Sequence, residues 1–487
     1  MVVAGLAFAL LINIAYRVLD TPFWNYNGSR LMPSFAVARG WNYYVLPHGG
    51  PLFCTIYGPM TAIIYLPATL LATPNGAVIA GSLISAILCF TAVAFLHFTR
   101  SRHGRQDRAA FLAAGLLVCY LEPLRYACFN IHADGPGLAF SAFACSALYM
   151  LDARRWALPF SAFFAVFAIC CKQTFLPLPI ALLAYVAFAA GIRQALRYAA
   201  WLCAAGLLLG GIVVLAAGPA RLYHCLIWVP MHQPWSSASA LVSWMQAIRN
   251  FIRLSLPVLI PLLAAGGYLL ATARLDLRSL RSLATHRSVP LLMTGVTLLP
   301  ASILGRAKVG GDINSFSFAL FFLTCGLTVL LADSVATAGL PTLRRLAAWG
   351  LVAIILPIMV SEAPLVIEIP SKIRQLPQSG QNVAYEYLVR HPGQAYFPWF
   401  PLSHFYAEHQ FRHYGYGIGD RLLAGESFTT ADFRAYMPPQ PALIAFSKDG
   451  TREVAGYDLL KYLPEYRRKI DDPELTGWTA YAKDAGP

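Results

Sequence analysis

The sequence predicts an α-helical polytopic membrane protein of about eleven transmembrane helices that ends in a water-soluble α/β domain. Three observations predict it. Hydrophobic residues make up 57% of the 487 residues and charged residues 12%, half the charged share of a soluble globular protein, and mean hydropathy is +0.56. The apolar residues are gathered into runs close to the ~20 residues that cross a bilayer as a helix. The charge is divided: the first 364 residues hold nine acidic and 24 basic side chains, whereas residues 365–487 hold 14 and 13, an ordinary soluble balance. The net charge of +14 thus belongs to the membrane part. It reflects loop topology and lipid headgroups, and no basic soluble face marks a nucleic-acid partner. None of the ten Cys lies after Cys325, so the tail has neither a disulfide framework nor a thiolate metal site.

The candidate spans are 2–19, 76–98, 109–127, 134–151, 156–171, 173–190, 198–218, 253–273, 289–304, 315–337 and 347–363. The first lacks a small-residue cleavage site after its apolar run and reads as a retained helix. The run 55–72 is also apolar, but Pro59 and Pro67 interrupt it, and it is expected to lie in the membrane interface. Arg100, Arg102, Arg105 and Arg108, then Arg154 and Arg155, Arg193 and Arg197, Arg274, Arg278, Arg281 and Arg287, and Arg344 and Arg345 fall in every second connection. Eleven spans place all of them in the cytoplasm if the N-terminus starts inside. The first loop (20–75) and the tail (364–487) then face outward from an inner or plasma membrane. Asp107, Asp152, Asp276 and Asp333 fall at cytoplasmic ends. The cytoplasmic loops are short and carry no Gly-rich phosphate loop and no acidic pair, so chemistry is expected at the outer face. In the tail, 379–390 and 430–436 read as helices and 395–398 and 442–446 as short strands.

The first outer loop is long and aromatic, and loops of this length in a compact protein usually carry function. A short helix is expected around 30–39, stopped by Gly40, followed by an aromatic stretch and the Gly-Pro-rich segment GGPLFCTIYGPM at 49–60. Segment 29–40 and that Gly-Pro-rich run resemble the C-type (GT-C) membrane glycosyltransferases, which include protein O-mannosyltransferases and the aminoarabinose transferase of lipid A. So do the first helix before the loop, the short basic turns and the one-sided soluble tail. The resemblance covers residues 1–200 and extends to the rest by architecture. It implies a GT-C-like transmembrane catalytic domain over 1–363 and an extracytoplasmic domain over 364–487. It also implies inverting transfer of a sugar from a polyprenyl-phosphate donor to an envelope glycan, lipid or protein.

The family carries an acid in this loop, and the matching position here is Asn25, whose amide cannot act as a base. Asp20, five residues earlier, is the candidate substitute. The family places a second acid where this chain has Asp134, in NIHADGPG. A carboxylate there is costly unless paired or used, so Asp134 is the first candidate for the catalytic base, ahead of Asp20, although Asp also caps helices well. Glu122 is expected to pair with Arg125. Lys172 closes an apolar span, where an ammonium suits a lipid phosphate or snorkels to the headgroups. Arg306 and Lys308 flank Gly310 and Gly311, whose N–H groups suit an anion, with Asp312 and Asn314 beside them. Arg30, Arg39, Arg125, Arg221 and Arg249 are further outer cations that oppose the positive-inside bias, as expected if an anionic substrate gathers some of them. Asn25, Tyr26, Asn27, Tyr57 and His132 complete the expected cavity. His48, His132, His224 and His232 lack metal-ligand spacing, so no metal site is assigned, although the resemblance allows a divalent ion. Two other readings stay open: a transporter or lipid flippase, and a non-catalytic glycolipid-binding relative, which Asn25 favours. The sugar and acceptor are not legible.

Overall fold

In the computed structural model the described residues are 2–53, 56–100, 104–272, 286–337, 341–447, 453–454 and 457–484. Arg102, Arg274, Asp276, Arg278 and Arg281 lie outside them. The first helix, α1 (Val2–Asp20), is followed by α2 (Asn25–Ala38), which starts five residues earlier than expected and tolerates Pro33 in its middle. The interfacial run is divided by its prolines, as α3 (Met60–Ile64) and a 3-10 turn at Leu66–Leu70. Next come α4 (Pro74–Phe98), α5 (Gly104–Tyr120), α6 (Glu122–Phe129), α7 (Asp134–Leu148), α8 (Ala157–Cys171) and α9 (Leu178–Ala190). Long helices at Ile192–Ala217, Ala240–Thr272, Ser288–Ala307, Ser317–Thr337 and Pro341–Glu362 complete the bundle.

Among the described residues seven helices are long and apolar enough to cross a membrane, or eight if α5 and α6 count as one span. The eleven expected from apolar runs are therefore not all of full length. The run 109–127 bends by 93° between α5 and α6. Leu121 there is extended (ψ 115°), and Pro123 sits in the first turn of the new helix, where its missing N–H leaves nothing unsatisfied. Helices α7 and α8 have 15 residues each, about 22 Å at 1.5 Å per residue, short of a ~30 Å hydrocarbon core.

Two buried polar clusters mark opposite ends of the bundle. At one end Arg287 Nη2 meets Asp107 Oδ1 at 2.7 Å and Asp333 Oδ1 at 2.6 Å, while its Nη1 donates to the His97 carbonyl at 2.9 Å. Asn314 lies at the other end of the helix that holds Asp333. That stretch of chain is about 30 Å long at the helical rise, one bilayer core.

The C-terminal region builds its own core of Tyr387, Phe397, Trp399, Tyr414, Phe433 and neighbours. Helix Gly380–Arg390, strands β1 (Ala395–Tyr396) and β2 (Leu443–Phe446), and helix Thr430–Ala435 fall close to the expected segments. Strands β3 (Glu453–Val454) and β4 (Tyr457–Asp458) form a small hairpin. Strands β5 (Arg468–Ile470) and β6 (Thr479–Ala482) complete a four-stranded sheet of order β1-β2-β6-β5, parallel only between β1 and β2. Helices Pro401–Glu408 and Gly415–Leu423 were not foreseen.

The long first loop, which follows α1, is packed between the membrane helices and this region. Leu31, Phe35, Tyr44 and Phe53 of the loop share one cluster with Val78 and Ile131 below and Leu402, Phe405 and Phe411 above. The Tyr414 N–H donates to the Leu52 carbonyl at 3.0 Å. A Cβ at Gly417 would come within 2.6 Å of that same oxygen, so only glycine lets the tail helix approach the loop so closely.

Candidate active site

The site is built where the ends of α7 and α8 meet the first outer loop. Lys172 ends α8: its backbone turns extended (φ −152°, ψ 127°), which directs the side chain across to the start of α7. Its Nζ donates to Asp134 Oδ1 at 2.6 Å. Asp134 Oδ2 accepts from Asn314 Nδ2 at 2.5 Å and lies 2.9 Å from His132 Nδ1. Burial holds the His132 imidazole down at a pKa of about 3, so the ring is neutral. With its proton on Nδ1 the ring donates to Asp134 Oδ2 and accepts at Nε2 from the Tyr57 hydroxyl at 2.8 Å; with its proton on Nε2 it donates to Tyr57 and Nδ1 accepts from the Asp134 backbone N–H at 3.3 Å. The Lys172 ammonium also lies 5.2 Å from the Tyr57 ring centroid and 4.8 Å from that of Phe318, within cation–π range. Asp134 is 0% exposed, its side chain caps no helix, and both its oxygens are engaged.

The loop geometry that fixes this cluster is local. The Gly58 N–H donates to the Cys171 carbonyl at 2.9 Å, and the Thr61 hydroxyl donates to the same oxygen at 3.1 Å. A Cβ on Gly58 would sit 2.0 Å from the Cys170 carbonyl oxygen, so glycine is required for the Gly-Pro-rich segment to lie on the end of α8. Asn27 ties α2 to the 130–131 turn, donating to Asn130 Oδ1 and accepting from the Ile131 N–H, both at 2.9 Å.

Above the cluster is a small, open pocket lined by Arg30, Tyr43, Tyr57, Thr61, Ile131 and His132, among others. Arg30 donates to the Tyr126 hydroxyl at 2.9 Å and lies over the Tyr26 and Tyr126 rings. Tyr26 in turn stacks on Tyr416 of the C-terminal region, with centroids 4.7 Å apart, and their hydroxyls hydrogen-bond. The tail thus packs on α2 beside Arg30.

The structure brings Asp134, Lys172, His132, Asn314 and Tyr57 together, with Arg30 on the pocket wall, Tyr26 behind it and Asn27 as a tie. Other candidates lie elsewhere. Asp20 pairs with Lys372 of helix Leu365–Gln375 and accepts from Trp24. Asn25 is buried, and its carbonyl accepts from Gln381 of the tail. Lys308 donates to the carbonyls of Gln233 and Met231 and lies over the Trp235 ring. The Arg306 guanidinium reaches the Gly311 carbonyl at 3.3 Å. Asp312 is exposed and caps the turn that begins at Ile313. The basic Gly turn therefore folds its cations onto its own and neighbouring carbonyls, and among the described residues only Asn314 of this segment contacts the cluster. Glu122 is exposed and makes no ion pair with Arg125 among the described residues, because α6 starts at Glu122 and turns it outward. Tyr126, Phe318, Gln233, Tyr416 and Asp420 were not foreseen. The run HYGYGIGD at 413–420 was the available signal for the last two, since it sets Tyr416 and Asp420 four residues apart on one helical face. Among the described residues no group of three His, Cys, Asp or Glu side chains converges as a metal site.

A bent-helix bundle and a long first loop packed beneath a C-terminal α/β region together give the chain the fold of the C-type polytopic membrane glycosyltransferases. It is similar over 100% of its length to ArnT from Cupriavidus metallidurans, 99% of which is covered, at 14% identity. The TM-score is 0.54 to the apo structure and 0.56 to the structure bound to undecaprenyl phosphate. An oligosaccharyltransferase from Archaeoglobus fulgidus in the apo form also matches, at 13% identity over 99% of this chain and 74% of that one, with a TM-score of 0.47. No family model matches the sequence, and no curated protein matches it.

Proposed function

We propose that the protein transfers a sugar from a polyprenyl-phosphate-linked donor to an envelope glycan, lipid or protein at the outer face of the membrane, with inversion at the anomeric carbon. The observation that carries this reading is the pocket bordered by Arg30, with the Lys172–Asp134 pair buried directly beneath its His132 and Tyr57 wall. Two cations at the membrane boundary suit a lipid phosphate, and the aromatic walls suit sugar faces. The undecaprenyl phosphate bound in ArnT supports that donor class. As the donor bond breaks, negative charge grows on the phosphate, and fixed cations stabilise it without reorganisation. Asp134, fully buried with both oxygens engaged, positions Lys172, His132 and Asn314 rather than meeting a substrate hydroxyl. The segment 1–363 is the catalytic membrane part, and 364–487 is the outer domain that packs on the first loop.

In envelopes from strains with and without the gene, mass spectrometry is expected to find one glycan, lipid or protein lighter by a single sugar in the strain that lacks it, together with accumulated polyprenyl-phosphate sugar. Identical envelopes would reject the reading. The orientation behind it puts the N-terminus inside and the tail outside. Reporter fusions at Gly104 and Gln440 are expected to report opposite sides of the membrane, and a shared side would overturn the orientation.

A further inference from the structure

The C-terminal region brings one carboxylate, Asp420, close enough to feel the charge of Arg30, which lines the pocket. Asp420 follows Tyr416 by one turn on helix Gly415–Leu423, so the two side chains share a face. Tyr416 stacks on Tyr26, and Arg30, one turn further along α2, lies over the Tyr26 ring and lines the pocket. On its other side, Asp420 Oδ1 accepts from Gln233 Nε2 at 3.2 Å. Gly310 is so near that a Cβ there would stand 3.9 Å from the same oxygen. Among the described residues this is the one side-chain hydrogen bond of Asp420, and no cation stands within ion-pair distance of it. Of the other outer-face carboxylates, Asp312 and Glu122 are exposed at helix starts, and the buried or half-buried ones are committed. Asp20 pairs with Lys372, Glu362 with Arg17, and Glu426 with Arg421 and His224, while Asp134 has no oxygen to spare.

We propose that Asp420 is the proton acceptor of the transfer step, taking the proton of the attacking hydroxyl. The proposal rests on the transferase reading and deepens it: the base that Asn25 cannot supply comes from the C-terminal region. The acceptor oxygen bonds to the anomeric carbon. The bond from that carbon to the phosphate oxygen breaks, its electron pair stays on the phosphate, and the hydroxyl proton ends on the Asp420 carboxylate. Desolvation by the surrounding protein raises the Asp420 carboxyl to about 7, against the opposing pull of Arg421 on its own helix and Arg30 on α2. A base poised near neutral pH accepts and releases a proton most efficiently. Gln233 and Gly310, which face it from the other elements, are uncharged.

The test uses the full-length protein in nanodiscs, with an envelope extract from a strain lacking it as the source of donor and acceptor. Asp420→Asn is expected to lose about 10²–10⁴-fold in transfer, the usual cost of removing a general base, and Asp420→Glu to recover part of it. Binding of undecaprenyl phosphate, followed by native mass spectrometry, is expected to stay at the wild-type level in both variants. The wild-type rate is expected to fall as the pH drops through about 7, where the base becomes protonated, and Asp420→Asn to lose that limb. Wild-type transfer by Asp420→Asn would overturn the proposal, as would a loss matched by lost undecaprenyl phosphate binding. A wild-type protein that moves no sugar would instead overturn the transferase reading on which the proposal stands.

Discussion

Asp134→Asn is expected to lower sugar transfer by at least about 10²-fold, the scale on which a displacement of about 1 Å in a positioned group acts. Asp134 is the hub of the cluster, holding the Lys172 ammonium at 2.6 Å, the Asn314 amide at 2.5 Å and the His132 ring at 2.9 Å. An amide in its place keeps the size but removes the charge that counters Lys172, whose side chain is only 10% exposed. Breaking a buried ion pair from one side costs about 3–5 kcal/mol, so the variant is expected to melt earlier as well as work more slowly. Adding Lys172→Met separates the two effects. With the orphan charge removed, the thermal midpoint is expected to return toward the wild type while transfer stays low, because the phosphate has lost its cation. Recovery of both would mean that the pair serves the fold alone. Asp20→Asn is expected to damage transfer less, since Asp20 pairs with Lys372 and makes no contact with the cluster.

Arg421→Met is expected to loosen the C-terminal region from the first outer loop and to lower stability by about 3–5 kcal/mol, the range for one side of a buried pair. Arg421 is 2% exposed. Its Nη1 meets Glu426 Oε1 at 2.9 Å, and its Nη2 donates to the Val45 carbonyl at 2.8 Å. Glu426 also bonds His224 at 2.7 Å, in a π-helical turn, His224–Trp228, that follows the long helix Ile192–Ala217. One guanidinium thus ties the tail to the loop that roofs the pocket and to the bundle. A methionine fills the volume but leaves Glu426 with His224 alone and takes the guanidinium away from the Val45 carbonyl. Limited proteolysis is expected to cut the variant between the bundle and the tail at concentrations the wild type resists. Arg421→Lys is expected to fall between the two, because an ammonium cannot reproduce the planar fork that serves both acceptors. An unchanged melting temperature in Arg421→Met would contradict the tie.

What the sequence made legible follows from the range over which each signal acts. The apolar runs and their basic punctuation are local, and they gave the membrane class and most helix positions. The exceptions are where a local break intervened, as at Leu121. The starting points of the site, Asp134 and Lys172, stood out because a charge beside an apolar span is rare. That they hold each other across 38 residues, with Asn314 another 180 away, is a property of packing that no spacing rule carries. The basic Gly turn misled for the opposite reason. Arg306 and Lys308 look like an anion nest in isolation, but the chain folds the Lys308 ammonium onto the carbonyls of the 231–233 segment, which nothing in 305–316 foretells. The tail's contact with α2 stayed hidden because the short, Gly-rich helix at 415–423 has little helical propensity and is held by its contacts with the first loop.

The most direct test of the account follows mass rather than growth. Purified protein in nanodiscs is mixed with an envelope extract from a strain lacking it, and polyprenyl-phosphate sugars and envelope acceptors are tracked together by mass spectrometry. The account predicts that one polyprenyl-phosphate species loses a sugar, releasing free polyprenyl phosphate, as one acceptor gains the same mass, and that Asp134→Asn stops both changes. Unchanged masses on both sides, in a preparation where lipid nevertheless moves between leaflets, would contradict it and identify a flippase.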